Sequence, residues 1–75
     1  MTNEELQELK QAYNAVFDEN GEIKGCGRAC TRKLIDLISN HTSVYVGDSK
    51  TGMMKVDAIK SAYQKLTAYH GALVL

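Results

Sequence analysis

The chain has 75 residues and a formal net charge of zero; 44% of its residues are hydrophobic and 24% are charged. A chain of this length forms one domain that buries only about 60% of its unfolded surface, and this composition excludes disordered, collagen-like and fibrous proteins. No apolar run approaches the roughly 18 residues of a membrane span, and the acidic start MTNEELQELK is unlike a signal peptide. We therefore expect a single small domain over residues 1–75 that stays out of the membrane, in the cytoplasm.

The first helix is predicted over residues 3–17. Its apolar residues follow one another at spacings of 3, 4, 3 and 1, which places them on one helical face: Leu6, Leu9, Tyr13, Val16 and Phe17. Thr2 or Asn3 is suited to cap its start. Glu4 and Glu5 then fall in the first turn, where carboxylates favour the positive end of the helix dipole.

The connector DENGEIKGCG, residues 18–27, is predicted to cap this helix and turn tightly, because Asn20-Gly21 is a strong turn signal. The stretch FDENGEI also has the opening of an EF-hand calcium loop, which takes twelve residues and ends on a bidentate glutamate. Counted from Asp18, the twelfth position is Ala29, and Ile23 arrives two places early. We therefore expect no calcium site here.

A second helix is predicted over residues 28–41. Its apolar stripe, widened by Ile35, consists of Cys30, Leu34, Leu37, Ile38 and His41. A third helix is predicted over residues 56–70, with a stripe that consists of Val56, Ile59, Tyr63, Leu66 and His70. The residues expected to be largely buried are Leu9, Val16, Leu34, Ile38, Ile59 and Leu66.

Cys26 and Cys30 are the only cysteines of the chain. Without an export signal they indicate free thiols in a reducing compartment, packed as small, half-buried hydrophobic side chains. Zinc would need two further ligands, and His41 and His70 lie 29 residues apart, too far for a usual zinc motif. A Cys–His nucleophile would lack a third group to orient it. The sequence thus predicts no metal, no cofactor and no catalytic residue.

Residues 47–54, GDSKTGMM, raise the question of a phosphate-binding loop. They have the two glycines of a Walker A motif, but two methionines stand where its lysine and hydroxyl residue belong. Val44, Tyr45 and Val46 have the composition of a strand, and a turn over residues 47–52 would return the chain along residues 53–55. The expected fold is mainly α, a small three-helix domain. A short β-hairpin and an extended connector are equal alternatives between helices 2 and 3.

The neutral net charge hides a strong asymmetry along the chain. Residues 1–23 hold six acidic residues and one basic residue, a balance of −5, whereas residues 24–75 hold eight basic and three acidic residues, a balance of +5. Arg28 and Arg32 share a face one turn apart at the start of the second helix, where cations oppose the dipole. Helix stability therefore does not explain these two arginines.

An anion-binding site for a protein or a phosphate-bearing ligand is one interpretation of this charge. Its residues would be Lys24, Arg28, Arg32 and Lys50, with Tyr45 exposed beside the glycine loop for recognition. The equal alternative is that these bases pair with the acidic first helix, within one chain or between chains.

The order of an acidic helix, DENGEIKGCGRAC, a KLIDLI helix, YVGDSKTGMM and a closing VDAIKSAYQKL helix resembles small uncharacterised proteins of phages and mobile elements of gut bacteria. The resemblance covers about residues 3–66. It implies a protein that acts by binding, as a virion accessory subunit, an inhibitor of host defence or a small DNA-binding regulator, located in the host cytoplasm or the virion.

The expected function is that of a non-enzymatic interaction protein. We expect it to form a homo-oligomer, because the domain is small, its two parts carry opposite charge and the segment ALVL, residues 72–75, is apolar. A protein, a nucleotide or a nucleic acid would be its ligand. The alternative is a small DNA-binding regulator, although DNA-binding domains usually carry net positive charge.

Overall fold

The computed structural model describes the backbone of residues 2–74 and the side chains of residues 2–68. Within the described residues the elements are three helices, α1 (Asn3–Val16), α2 (Arg28–Ser39) and α3 (Val56–Val74), and two short strands, β1 (Gly47–Asp48) and β2 (Met53–Met54). The strands pair antiparallel, with Gly47 opposite Met54 and Asp48 opposite Met53. The mainly α fold is confirmed, and the hairpin between α2 and α3 is the alternative that the structure adopts.

The element boundaries differ from four sequence-based expectations. Helix α1 ends at Val16 because Phe17 has an extended backbone, and α2 ends at Ser39, two residues before the predicted end. Helix α3 continues to Val74, past the predicted end at residue 70. The first strand is Gly47–Asp48, whereas the segment of strand-like composition before it leaves Val44 and Tyr45 exposed and buries Val46.

A capping box starts helix α1. The Thr2 hydroxyl accepts a hydrogen bond from the Glu5 amide at 3.1 Å, and the Glu5 carboxylate accepts one from the Thr2 amide at 2.9 Å. The hydrogen bond from the Thr2 amide, the interaction of the carboxylate with the Thr2 side chain and a smaller contribution from His41 hold the pKa of Glu5 below its ordinary value. The His41 Nε2 atom lies 3.3 Å from a Glu5 carboxylate oxygen, so the end of α2 meets the start of α1.

A tight turn follows α1, as predicted. Phe17 and Ile23 form an isolated antiparallel bridge, and the Asp18 carboxylate accepts hydrogen bonds from the amides of Asn20 and Glu22, both at 2.9 Å. Gly21 has a φ of +79°, a conformation that glycine adopts without strain. In a calcium loop this aspartate would direct an oxygen at the ion. Here the Asp18 oxygen accepts hydrogen bonds from backbone amides of the turn.

One hydrophobic cluster joins the three helices and the residue before the hairpin. The side chains that are less than 2% exposed are Leu9, Val16, Phe17, Leu34, Ile35, Ile38, Val46 and Ile59. Five of the six predicted core residues are thus buried, but Leu66 is only partly buried at the edge of the cluster. Tyr13 and Tyr63 stack with ring centroids 3.7 Å apart, and burial raises the pKa of both hydroxyls.

Among the described residues, no helix combines the length and the apolar character needed to span a bilayer. The side chains of His70 and of the predicted oligomerisation segment ALVL lie outside the described residues.

Candidate functional site

Helix α2 begins without the acidic residues and the hydroxyl cap that start α1. Its N-cap is Gly27, no side chain bonds its first amides, and its first turn contains no acidic residue. The first amides of a helix lack partners within the helix and carry the positive end of its dipole. Arg28 and Arg32 add two cations one turn apart. This end of α2 therefore carries concentrated positive charge.

The hairpin turn packs directly on this end of α2. A Cβ atom at Gly52 would lie 2.8 Å from the Thr31 hydroxyl, 3.3 Å from Cγ of Arg32 and 3.4 Å from Cβ of Arg28. Gly52 also has a φ of +79°, which L side chains rarely adopt. Glycine is therefore required here for two independent reasons, conformation and close approach, and it fixes the turn against the arginines.

A side-chain hydrogen bond holds the turn in place. Nε of Arg32 donates to the carbonyl of Ser49 at 2.8 Å, across 17 residues of sequence. This bond orients the guanidinium group and leaves its terminal nitrogens without a partner among the described residues. Lys50 is the next residue of the turn and is exposed. Arg28, Arg32 and Lys50 together form what we call the cationic surface.

The turn itself is not a phosphate-binding loop of the Walker type. The Lys50 amide donates to the Asp48 carboxylate at 2.9 Å, and the Gly52 amide donates to the Asp48 carbonyl at 2.8 Å. The Met53 amide donates to the Thr51 hydroxyl at 3.3 Å. In a Walker loop the backbone amides point at the phosphates, whereas these three amides are bonded within the turn. Any anion would have to be held by the side chains of the cationic surface and by the start of α2.

The acidic first helix pairs with other basic residues. Lys33 lies 3.8 Å from Glu8 of α1, and His41 lies 3.3 Å from Glu5. Within the described part of the chain, no ion pair includes Arg28, Arg32 or Lys50. The expected pairing of the basic segment with α1 therefore occurs within the chain through Lys33, and the cationic surface takes no part in it.

Two of the predicted site residues lie in other surroundings. The ammonium group of Lys24 donates to the carbonyl of Asn14 at 2.8 Å, so Lys24 binds the carbonyl end of α1. Tyr45 is 61% exposed, as expected, but its ring contacts the ammonium group of Lys55 at 5.2 Å from the centroid. Among the described residues, neither Lys24 nor Tyr45 contacts the cationic surface. The cationic surface therefore contains three of the five predicted site residues.

The cysteines also differ from the expectation of free thiols. Cys26 and Cys30 form a disulfide, with their Cα atoms 5.9 Å apart. Cys26 is exposed in the loop before α2, whereas Cys30 is partly buried and packs against the core. The interpretation of both residues as half-buried hydrophobic side chains holds for Cys30 alone. Among the described residues, no cluster of three or more histidine, cysteine or acidic side chains is placed to hold a metal ion.

A separate cleft lies between α3 and the segment after α2. Its volume is about 310 Å³, and its lining includes Val44, Ala58, Ala62 and Leu66, with Lys65 as a cation. This volume is at the small end of the range of about 300 to 1,000 Å³ for ligand sites. The cleft shares no residue with the cationic surface.

Two residues that build the cationic surface were not among the predicted site residues. Asp48 shapes the turn through its two hydrogen bonds, and Ser49 supplies the carbonyl that binds Arg32. The pattern Asp-x-Lys-x-Gly could have indicated Asp48, because an aspartate in a turn often accepts a hydrogen bond from the amide two residues further on. The contact between Ser49 and Arg32 depends on how the hairpin packs, which no local pattern shows.

The comparisons with known proteins add no relative. The chain matches no protein-family model, no curated protein and no solved structure.

Proposed function

We propose that this chain is a non-enzymatic interaction protein that binds an anionic group of its partner, preferentially a phosphate, on the cationic surface. The observation that supports the proposal is the packing of the hairpin turn, which contains Lys50, on the start of α2, which carries Arg28 and Arg32. Arginine side chains and the amide end of a helix are the ordinary partners of phosphate oxygens.

The contrast among the basic residues supports this choice. Lys24 and Lys33 already have partners in α1, which are the backbone carbonyl of Asn14 and the carboxylate of Glu8. Arg28 and Arg32 stand where the dipole disfavours them, by about 0.3–1 kcal/mol for each exposed charge. A ligand anion would be attracted both by the positive end of the helix and by the guanidinium groups, and its binding would offset this unfavourable interaction.

Binding of inorganic pyrophosphate, followed by NMR, tests the proposal. Two charge-assisted hydrogen bonds contribute about 1.5–3 kcal/mol each, which corresponds to a dissociation constant of about 1 mM. We expect saturable shifts of the amides of residues 28–32 and 49–52. Lys50→Gln should weaken binding several-fold. The control is Lys33→Gln, which removes a base of α2 that is paired with Glu8 and should leave binding unchanged.

Shifts spread over all lysines and arginines, without saturation, would contradict the site. A 16-base-pair duplex oligonucleotide serves as a second ligand, because a DNA-binding regulator is the alternative function. If the duplex binds at least a hundredfold more tightly than pyrophosphate and shifts the exposed face of α2 or α3, the regulator replaces the proposed function. The neutral net charge of the chain argues against that outcome.

The proposal also includes the biological setting implied by the resemblance to small phage proteins, a virion accessory subunit or an inhibitor of host defence, and self-association. Self-association is supported by the apolar sequence of residues 72–75 and by the opposite charge of the two parts of the chain. Native mass spectrometry tests it. A monomer as the sole species at a concentration of 50 μM would remove the homo-oligomer from the proposal.

A further inference from the structure

We infer that Cys26 and Cys30 form a reversible thiol–disulfide redox site, which exchanges with small-molecule thiols by attack at the sulfur of Cys26. The starting observation is the disulfide itself, which joins the only two cysteines of the chain. The inference does not rest on the proposed anion binding, because the exchange takes place at the two sulfur atoms and needs no ligand on the cationic surface.

The two cysteines differ in exposure. Cys26 is exposed, and it lies between Gly25 and Gly27, where an added Cβ atom would meet nothing within 4 Å. Cys30 is partly buried in the first turn of α2 and packs against the core. Thiol–disulfide exchange requires an approach to the sulfur that is attacked. A thiolate from solution therefore reaches Cys26, and Cys30 is the sulfur that leaves.

The surroundings of Cys30 suit a leaving thiolate. Cys30 is the third residue of α2, a helix whose start has no side-chain cap and no acidic residue in its first turn. A negative charge on this sulfur would lie beside the positive end of the helix dipole. The nearest competing anions of the sequence, Glu22 and Asp36, lie outside this turn.

The fold does not depend on this bond. The disulfide joins residues only four positions apart, and the constraint that a disulfide places on the unfolded chain grows with the length of the loop it closes. Helix α2 is held to the rest of the domain by Leu34, Ile35 and Ile38, all at most 1% exposed. Reduction therefore leaves α2 packed, and both redox states are folded.

The exchange proceeds in two balanced steps. A thiolate, RS⁻, attacks the sulfur of Cys26; an RS–S bond forms, the bond between Cys26 and Cys30 breaks, and its electron pair leaves on Cys30. A second RS⁻ attacks the RS sulfur of this adduct, which releases Cys26 as a thiolate and forms RS–SR. Two thiols are thus oxidised to one disulfide, the cysteine pair gains two electrons, and the two protons of the thiols pass to the two cysteines.

A redox titration with glutathione tests the inference. The protein is equilibrated with mixtures of reduced and oxidised glutathione, thiols are trapped with a maleimide, and mass spectrometry counts the labels. We expect one transition between the unlabelled and the doubly labelled protein, with the helical circular dichroism signal unchanged across it. A pair that stays reduced at every ratio, or that is reduced only after denaturant is added, would overturn the inference.

Peptide mapping identifies the attacked sulfur. With less than one equivalent of reduced glutathione and rapid acid quenching, the mixed disulfide of the parent protein should carry glutathione on Cys26, because Cys30 is the sulfur that leaves. Glutathione found on Cys30 of the folded protein would contradict attack at Cys26. Lys10→Ala, on the exposed face of α1, should leave the titration midpoint within 15 mV of the parent, about a threefold change in the equilibrium constant.

Discussion

At the scale of single residues, burial separates the side chains that stabilise the fold from those available for binding. Leu34 has no exposed surface, whereas Arg28, Arg32 and Lys50 are all exposed. Burial of a leucine contributes about 1.5–3 kcal/mol, and exposed ion pairs contribute about 0–1 kcal/mol. The apolar stripe of α2 therefore contributes more to stability than its exposed cationic residues, which are accessible to a ligand.

The first prediction concerns Leu34→Ala. The side chain lies at the centre of the cluster formed by all three helices, so its truncation should leave a cavity and destabilise the protein by about 2–5 kcal/mol. A domain of this length has a total stability of roughly 4–11 kcal/mol. Urea denaturation followed by circular dichroism measures the loss. Lys10→Ala, on the exposed face of α1, is the control and should change stability by less than about 0.5 kcal/mol.

At the scale of elements, the hairpin is the part that the sequence left open. Helical periodicity predicted the three helices because each buries one face along many residues. The strands are only two residues each, too short for a periodic signal, and they form because Val46 is buried and the Lys55 amide donates to the Val46 carbonyl at 2.9 Å. The hairpin forms instead of an extended connector because its turn packs on α2, and this packing is a property of the whole fold.

The second prediction tests this packing through Gly52→Ala. A positive φ costs a residue with a Cβ about 1–2 kcal/mol, and the new methyl group would also press on the Thr31 hydroxyl at 2.8 Å. We expect a loss of stability of about 1–3 kcal/mol, measured in urea, together with weaker pyrophosphate binding because Lys50 moves away from α2. Gly25→Ala is the matched control, since a Cβ there meets open space. Equal stability of the two variants would show that the turn does not rest on α2.

At the scale of the whole molecule, part of the charge separation along the chain is used within the fold, where Lys33 pairs with Glu8. The sequence located the basic segment and its two arginines correctly, because charge and helical spacing are local properties. It did not show that Lys24 binds α1, that Lys33 pairs with Glu8 or that Tyr45 contacts Lys55. These partners lie 10 to 25 residues away along the chain, so only the packed structure identifies the cations that remain for a ligand.

The double variant Arg28→Gln/Arg32→Gln tests the central claim most directly. Its melting temperature and its affinity for inorganic pyrophosphate would be measured at 50 and 200 mM salt, beside the parent and Lys33→Gln. We expect the melting temperature to change little, because the loss of the exposed bond from Arg32 to Ser49 is offset by the removal of two cations from the positive end of α2. Affinity should fall at least tenfold and its dependence on salt should weaken, because fewer phosphate contacts remain. A large loss of stability with unchanged affinity would assign the arginines to the fold and contradict the anion-binding function.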